Sequence, residues 1–455
     1  MKKFDFDLIV IGSGAGGGTG ASYAASLGKK VAVVEKNLIG GECPNYGCIP
    51  TKGLLQAAEV YQTAKEGKQF GILSESLTFD YRRIRHWKDT VVSRTGSAQG
   101  ESIFTDDGIK VLHGTATFIS PHEITVGGKA YSAKHFLIAT GTTNFVPPIP
   151  GLEDTGFISF KEAIDYTNPP KSLFVIGGGP IGCEFAQIFS TFGTKVYIAD
   201  ITPRLIARED ADVGDLIGAI FDYRGINVLT ETAVKKVEKR AGKKAVIFEH
   251  KGKDYSVSVD EILVATGKKP VTDIALENAG VKYHRPGIKT NSYMQTSAKN
   301  IYAAGDVVGP YQFTHTGEYQ SWLAVHNMFS RKRNRKRADY SAVPRCVFVA
   351  PEVASVGHSE ESAKEAGIKI KVGAVPISII GRANTSNQLD GFVKVISDRK
   401  GVIIGGAIVS PRAGEMIHEL TLAVKMKITA KEVSETIHAF PTYSEAVKFA
   451  CHKLV

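Results

Sequence analysis

Cysteine is scarce in this chain, five residues in 455, which argues against a disulfide-stapled secreted scaffold. Long apolar runs are missing too, and nothing reaches the roughly 20 residues of a membrane-spanning helix. Met1-Lys2-Lys3 is followed by Asp5 and Asp7, and the apolar run after them extends only from Leu8 to Ile11. A secretory leader needs a longer apolar stretch and a small-residue cleavage site, so a cytoplasmic protein with no membrane association is expected. Negative charge is absent from Arg331-Lys-Arg-Asn-Arg-Lys-Arg337, whose six cations leave only +4 of the net +10 to the rest of the chain. No aromatic residue interleaves those cations and no nucleic-acid module is recognisable nearby. The run therefore reads as a solvated linker between domains, and nucleic acid is not an expected partner.

What is present is ordinary for a globular enzyme: 43% apolar residues, 22% charged and 47 glycines. A length of 455 residues exceeds one core and suggests two to four domains.

Two of the cysteines fall in Gly40-Gly-Glu-Cys43-Pro-Asn-Tyr-Gly-Cys48-Ile-Pro-Thr-Lys52. Five residues of regular helix rise about 7.5 Å, more than the roughly 7 Å that a disulfide spans between Cα atoms. Pro44 and Gly47 break regular helix and let the chain fold back. Pro50 suits the first turn of a helix through Leu54, Leu55, Ala58 and Tyr61, which puts Cys48 at a helix N-terminus, where thiolate is favoured. A redox-active dithiol is one reading, and two unrelated free thiols another. A zinc site ranks last because no second cysteine pair exists.

Around this stretch, residues 5–11 read as a buried strand, Gly12-Ser-Gly14-Ala-Gly-Gly17 as a glycine turn, and Thr19 to Leu27 as a small-residue helix. Val31–Val34 is a second strand, ending at Glu35. Strand, turn, helix, strand and terminal acid make a dinucleotide-binding βαβ unit. The pattern recurs as Ser172–Ile176, Gly177-Gly-Gly179-Pro-Ile-Gly182, a helix through Glu184 and Ile188, Val196–Ala199 and Asp200. Two nucleotide ligands are implied. Phe136-Leu-Ile-Ala-Thr140-Gly141 is echoed by Ile262-Leu-Val-Ala-Thr-Gly267, and a third strand ends at Asp306. Beyond the basic run the texture changes to strands at Val343–Val349, Phe392–Ile396 and Ile403–Val409, with helices over 359–366, 412–426 and 430–437.

Over essentially its whole length the chain resembles the pyridine nucleotide-disulfide oxidoreductases, the flavoproteins that include dihydrolipoamide dehydrogenase and mercuric reductase. The dithiol stretch is the most specific element of the likeness. The resemblance implies an α/β fold with two Rossmann-like dinucleotide-binding domains and a C-terminal α+β dimerisation domain. Its divisions would be 1–150 (FAD-binding, first part), 151–269 (NAD(P)-binding), 270–335 (FAD-binding, second part) and 336–455 (interface). It implies a homodimeric, FAD-dependent oxidoreductase that passes electrons from NAD(P)H through flavin to a Cys43–Cys48 disulfide and on to an acceptor. FAD would be held by Gly12, Gly14, Gly17, Glu35, Lys52, Gly114, Ala116, Thr140, Gly141 and Asp306. The nicotinamide cofactor would be held by Gly177, Gly179, Gly182, Asp200 and Gly267, with NADH favoured because an acid at Asp200 repels a 2′-phosphate, though Arg204 could soften that. Lys52 would sit by the flavin, paired with Glu184.

The chain departs from the likeness at one point above all. Disulfide-reducing members carry His-Pro-x-x-x-Glu, whose histidine exchanges protons with the outer thiol, here Cys43. This sequence reads His438-Ala-Phe440-Pro441-Thr-Tyr-Ser-Glu445, with Phe440 at the histidine's place. General acid–base help of that kind is worth about 10²–10⁴-fold. His438 is a candidate substitute that would start about 7 Å from the proper place. The acceptor is therefore expected to be a metal ion, a quinone or a small oxidant, with no resident metal. An ordinary dihydrolipoamide dehydrogenase with another base is the alternative, and a flavin-fold redox sensor or interaction protein the alternative from another class. Mercuric reductases share an aromatic residue here but end in a vicinal cysteine pair, where this chain has Cys451 alone and no N-terminal metal-binding domain is expected. Cys183 and Cys346 read as core residues. Pro180 stands where reductases often have a flavin-shielding tyrosine, which suggests a more open flavin face with oxidase or quinone side-activity.

Overall fold

The computed structural model describes residues 3–73, 76–95 and 100–455. Met1 and Lys2, where the leader reading begins, lie outside the described residues. The chain divides into two compact units, Met1–Gly53 with Arg83–Phe145 and Gly267–Ala338, and Leu54–Arg82 with Val146–Thr266 and Asp339–Val455.

The first unit is built on strands β1 (Phe6–Ile11) and β2 (Val31–Glu35), joined by helix α1 (Ala15–Ser26). The helix starts four residues earlier than the small-residue pattern suggests, because Gly14 itself is the N-cap. β3 (Lys110–His113), β2, β1 and β6 (Lys129–Ile138) lie in that order, all parallel, with Ile301–Ala303 adding a parallel strand beyond β6. β6 begins in an antiparallel meander with β5 (Glu123–Val126) and β4 (Ala116–Ser120). The run Leu-Ile-Val-Ile of β1 is apolar throughout because both faces of the sheet are covered. Leu8 and Val10 pack with Ala21, Ala24 and Leu323 on the helical side, and Ile9 and Ile11 pack with Phe118 and Ile301 on the other. Each such side chain, fully buried, contributes about 1.5–3 kcal/mol.

The basic segment, mostly exposed, closes this unit just before the chain passes at Asp339 into the second, and it is ordered by backbone hydrogen bonds. Lys336 donates its N–H to Asn327 Oδ1 (2.7 Å), Asn327 Nδ2 donates to the Lys336 carbonyl (2.8 Å), and Ala338 N–H donates to the Ser292 carbonyl (2.7 Å). The run is a strap fixed across the C-terminal end of the helix Thr314–Phe329.

The second unit holds a parallel sheet ordered Asn227–Leu229, Lys195–Ala199, Ser172–Ile176 and Glu261–Val264. A three-stranded antiparallel sheet, Thr232–Arg240, Lys243–His250 and Lys253–Val259, was invisible to the sequence pattern because its outer face is lysine-rich. The C-terminal portion is a five-stranded antiparallel sheet, two strands larger than the sequence suggests: Glu352–Gly357 and Ile370–Pro376 join Arg345–Val347, Phe392–Asp398 and Ile403–Ser410. The helices Ala413–Met426 and Glu445–His452 pack on it. Within this unit Lys394, only 2% exposed, is held by Asp210 (2.8 Å), Asp212 (2.9 Å) and Glu360 (2.7 Å). Arg345 and Ser355 grip Glu209 beside it. A lysine can be buried here because three carboxylates replace its water, and they raise its pKa. Among the described residues no helix is long and apolar enough to cross a membrane.

Candidate active site

The dithiol stretch folds back in two steps. Gly40 and Gly41 take positive φ (90° and 69°), a single turn α2 (Glu42–Asn45) follows, and helix α3 (Cys48–Glu66) begins at Cys48 itself. Asn45 Nδ2 closes the turn on the carbonyls of Ile39 (2.9 Å) and Gly41 (2.8 Å). Cys43 and Cys48 are thereby turned toward each other. Both are free thiols here, the reduced form of such a couple. Cys48 is exposed and Cys43 half-buried. The hydrogen bond to Cys48, then burial, then the charge interaction with Cys48 raise the Cys43 thiol well above the ordinary cysteine range. Thr314 and the Lys52 ammonium oppose that shift.

Thr314 is a site residue that the sequence did not reveal. It is the first residue of its helix, and its Oγ1 lies 3.7 Å from Cys48 Sγ. Glu42 is another. Its carboxylate forms an ion pair with Lys268 immediately before Cys43. Burial pushes the Lys268 ammonium down to about 8, with the charge of Asp306 opposing. Asp306 is in turn raised by burial, against Lys268 and the hydroxyl of Thr142, which donates to it at 3.3 Å.

The first glycine turn lies directly beneath this stretch. Gly12 sits at φ 104°, where a Cβ would come within 2.3 Å of the Ala139 carbonyl oxygen, and a Cβ on Gly41 would come within 2.7 Å of Gly14 Cα. Gly14 caps α1 with no side chain, and Gly17 lies buried in its first turn, the arrangement that leaves a helix N-terminus to an anionic ligand. Glu35 is buried and accepts from the Ser13 N–H (3.0 Å), the Ser13 hydroxyl (2.6 Å) and the Asn37 N–H (2.8 Å). Gly114 follows β3 at φ 132°, Ala116 opens β4, and Gly141 (φ 67°) follows Thr140, whose hydroxyl donates to the Val271 carbonyl at 2.7 Å. These residues fit a dinucleotide: glycines at 12 and 17 where a Cβ would intrude, an uncapped helix end, a buried acid at Glu35 and a half-buried one at Asp306.

The second unit repeats the arrangement. Gly177 takes φ 113°, Gly179 caps the helix Pro180–Thr191 with open space around it, and Gly182 lies in that helix's first turn. Asp200 accepts from the Gly178 N–H (2.6 Å), the Thr202 N–H (2.8 Å) and the Thr202 hydroxyl (2.6 Å). Arg204 is engaged by Asp215 at 2.8 Å. Glu184 is buried and accepts from the Phe348 N–H at 3.1 Å. Gly267 lies in the first unit, its carbonyl accepting from Phe145 N–H at 2.9 Å.

At the C-terminus Phe440 is 79% exposed and Ile437 94%. His438 points elsewhere: its side chain is 7% exposed, with Nε2 2.9 Å from Glu419 Oε1 and Nδ1 2.9 Å from the Thr436 carbonyl. Both ring nitrogens are thus turned to these oxygens. Glu445 accepts from the Thr442 N–H at 3.2 Å. Cys183 and Cys451 are fully buried, whereas Cys346, read as core, is half-buried because it lies on the edge strand Arg345–Val347. Among the described residues no cluster of three or more His, Cys, Asp or Glu side chains could hold a metal ion.

Two dinucleotide folds and a thiol pair turned together beside one of them define a flavoprotein disulfide oxidoreductase. The comparison with known proteins agrees: residues 6–326 match the pyridine nucleotide-disulphide oxidoreductases and residues 343–451 match the dimerisation domain of that family. The chain belongs to this family, whose members use FAD and NAD(P)H. It is 34% identical to a mercuric reductase of Staphylococcus aureus over 98% of this chain and 82% of the relative. It is 37% identical to a dihydrolipoyl dehydrogenase of Thermus scotoductus over 99% and 97%. Among solved structures, the Cu(II) complex of RclA, an HOCl-induced flavoprotein disulfide reductase from Escherichia coli, superposes with a TM-score of 0.88 at 30% identity, covering 99% of both chains.

Proposed function

We propose that the enzyme passes electrons from NADH to the Cys43–Cys48 pair and from there to a thiophilic, reducible metal ion of the copper(II) class. The observation that carries this reading is the C-terminal segment: Phe440 occupies the place of the proton-exchanging histidine, and His438 is committed to Glu419 and Thr436. Reduction of a disulfide substrate needs a proton delivered to each departing thiolate. A metal cation needs none, because it binds thiolate directly and the displaced proton leaves to water. Two metal ions each take one electron as the two thiols close to a disulfide and release two protons. The mercuric reductase relative and the copper-bound RclA structure support the metal class.

In this reading residues 1–150 and 270–335 hold FAD and 151–269 the nicotinamide cofactor. That division is supported by the parallel pairing of Ile301–Ala303 with β6. FAD, when bound, supplies a two-electron carrier between nicotinamide and thiols. Glu35 would turn from the Ser13 hydroxyl to the adenosine ribose, Asp306 would meet the ribityl chain, and Lys52 would lie beside the ring. NADH is favoured over NADPH because Asp200 occupies the 2′-position and Arg204 is drawn off by Asp215. Residues 336–455 would join two copies, each presenting Phe440 and Glu445 to the other's Cys43.

The test reduces the holoenzyme with NADH and follows reoxidation by buffered Cu(II), Hg(II), a quinone and lipoamide. Copper or mercury should outpace lipoamide by at least tenfold, and Cys43→Ser should abolish the difference. Phe440→His, a change at an exposed site that completes the His-Pro-x-x-x-Glu element, should raise lipoamide turnover at least tenfold. Wild-type lipoamide turnover equal to that with metal would sink the proposal.

A further inference from the structure

The strap Arg331–Arg337 has no part in electron transfer, yet it is held rigidly. Lys336 Nζ lies 5.1 Å from the centre of the Trp322 ring, and the Arg337 guanidinium lies 5.7 Å from that of Tyr293, to whose hydroxyl its Nε donates at 3.3 Å. Lys29 Nζ lies 5.3 Å from the Phe329 ring centre, which brings Lys29, just beyond the end of α1, to the same corner, whereas Lys30 turns away to the Phe6 ring. Among the described residues none of these seven cations, six in the strap and Lys29, is in an ion pair. Elsewhere exposed cations do find acids: Lys235 has Glu249 and Asp254, and Arg240 has Glu238. Complementing the carboxyl ends of two helices accounts for two or three positive side chains, since that effect fades within a turn.

We propose that this corner docks the phosphodiester backbone of nucleic acid, without reading its sequence. A cluster of guanidinium and ammonium groups on an ordered backbone matches a chain of phosphates. Base stacking is not available, because Trp322 already stacks on Tyr23 (6.0 Å) and His326 (5.3 Å). A lipid surface is the poorer fit, since the seven residues of the strap include no apolar side chain to insert. The corner lies at the far end of the 16-residue helix Thr314–Phe329 from the thiols, about 24 Å along its axis, so an occupant leaves the dithiol open.

Fluorescence anisotropy of the holoenzyme with a labelled 20-nucleotide random single strand tests this. If about five cations meet phosphates, the logarithmic salt slope should be near −3.5, roughly a hundred-fold loss of affinity between 50 and 200 mM KCl. The triple substitution Arg331→Gln, Lys332→Gln, Arg333→Gln changes exposed side chains only. It should weaken binding at 50 mM KCl at least tenfold and flatten the slope by about 2, leaving FAD content and NADH oxidation unchanged. No binding at 50 mM KCl, equal binding by the triple variant, or binding to phosphatidylserine vesicles without binding to the oligonucleotide would each overturn the proposal.

Discussion

Thr314→Val removes one oxygen from beside the thiols while keeping the shape of the side chain. That oxygen lies 3.7 Å from Cys48 Sγ and opposes the upward shift of Cys43. A hydrogen bond to a charged group is worth about 1.5–3 kcal/mol at good geometry, and this one is long even for sulfur, so about 1 kcal/mol is the reasonable loss. At 1.36 kcal/mol per pH unit, the first ionisation of the reduced pair should move up by about 0.7 unit. The two thiols titrate as one system, so the shift belongs to the pair. Alkylation of the reduced holoenzyme by iodoacetamide between pH 5 and 10 reads it directly. Below the midpoint the valine variant should react about fivefold more slowly, which is 0.7 unit expressed as a ratio. Thr314→Ser should restore the wild-type curve. A valine profile that overlays the wild type, or a serine variant shifted as far as valine, would refute the assignment of Thr314 to the thiol pair.

Two further outcomes follow from charge and burial. Asp200→Asn drops the charge and keeps only one of the two oxygens that accept from the Gly178 and Thr202 N–H groups, so the NADH-over-NADPH ratio of kcat/KM should fall about tenfold, near 1.4 kcal/mol. An unchanged ratio would remove Asp200 from cofactor selection. Burial, with the adjacent Lys134, pushes His135 down to about 4. A histidine depressed on folding leaves stability whole above the unfolded value of about 6.5 and withdraws it as pH falls toward 4, because only the unfolded chain takes up the proton. Urea unfolding of the FAD-saturated protein at pH 7 and 4.5 should therefore show His135→Gln losing less stability than the wild type, by on the order of 2 kcal/mol. Equal losses would show that His135 is not the acid-sensitive group.

Local continuity explains what was legible in the sequence. Strand, glycine turn, helix and acid follow one another within 30 residues at both fingerprints, and the dithiol motif spans 13. The three-stranded sheet at 232–259 was not legible because strands such as Thr-Ala-Val-Lys-Lys-Val-Glu-Lys-Arg alternate too weakly in hydrophobicity to mark a buried face. Thr314 and Lys268 were missed for a different reason. They stand 266 and 226 residues from Cys48 and Glu42, and only the parallel pairing of Ile301–Ala303 with β6 and the antiparallel pairing of Lys268–Pro270 with Thr142–Asn144 bring them near. The order of the basic strap was not legible because it comes from backbone bonds to Asn327 and Ser292, which side-chain polarity does not reveal.

The contact between Gly14 and Gly41 has a consequence for how such a chain can change. The two backbones approach so closely that a methyl group on Gly41 would press into Gly14, the residue that caps α1. Whatever widens the thiol loop must also lift the turn beneath it. The redox centre and its adjoining nucleotide turn are thus one heritable unit: neither can drift alone, and variation in the acceptor is left to surfaces such as the exposed edge at Phe440.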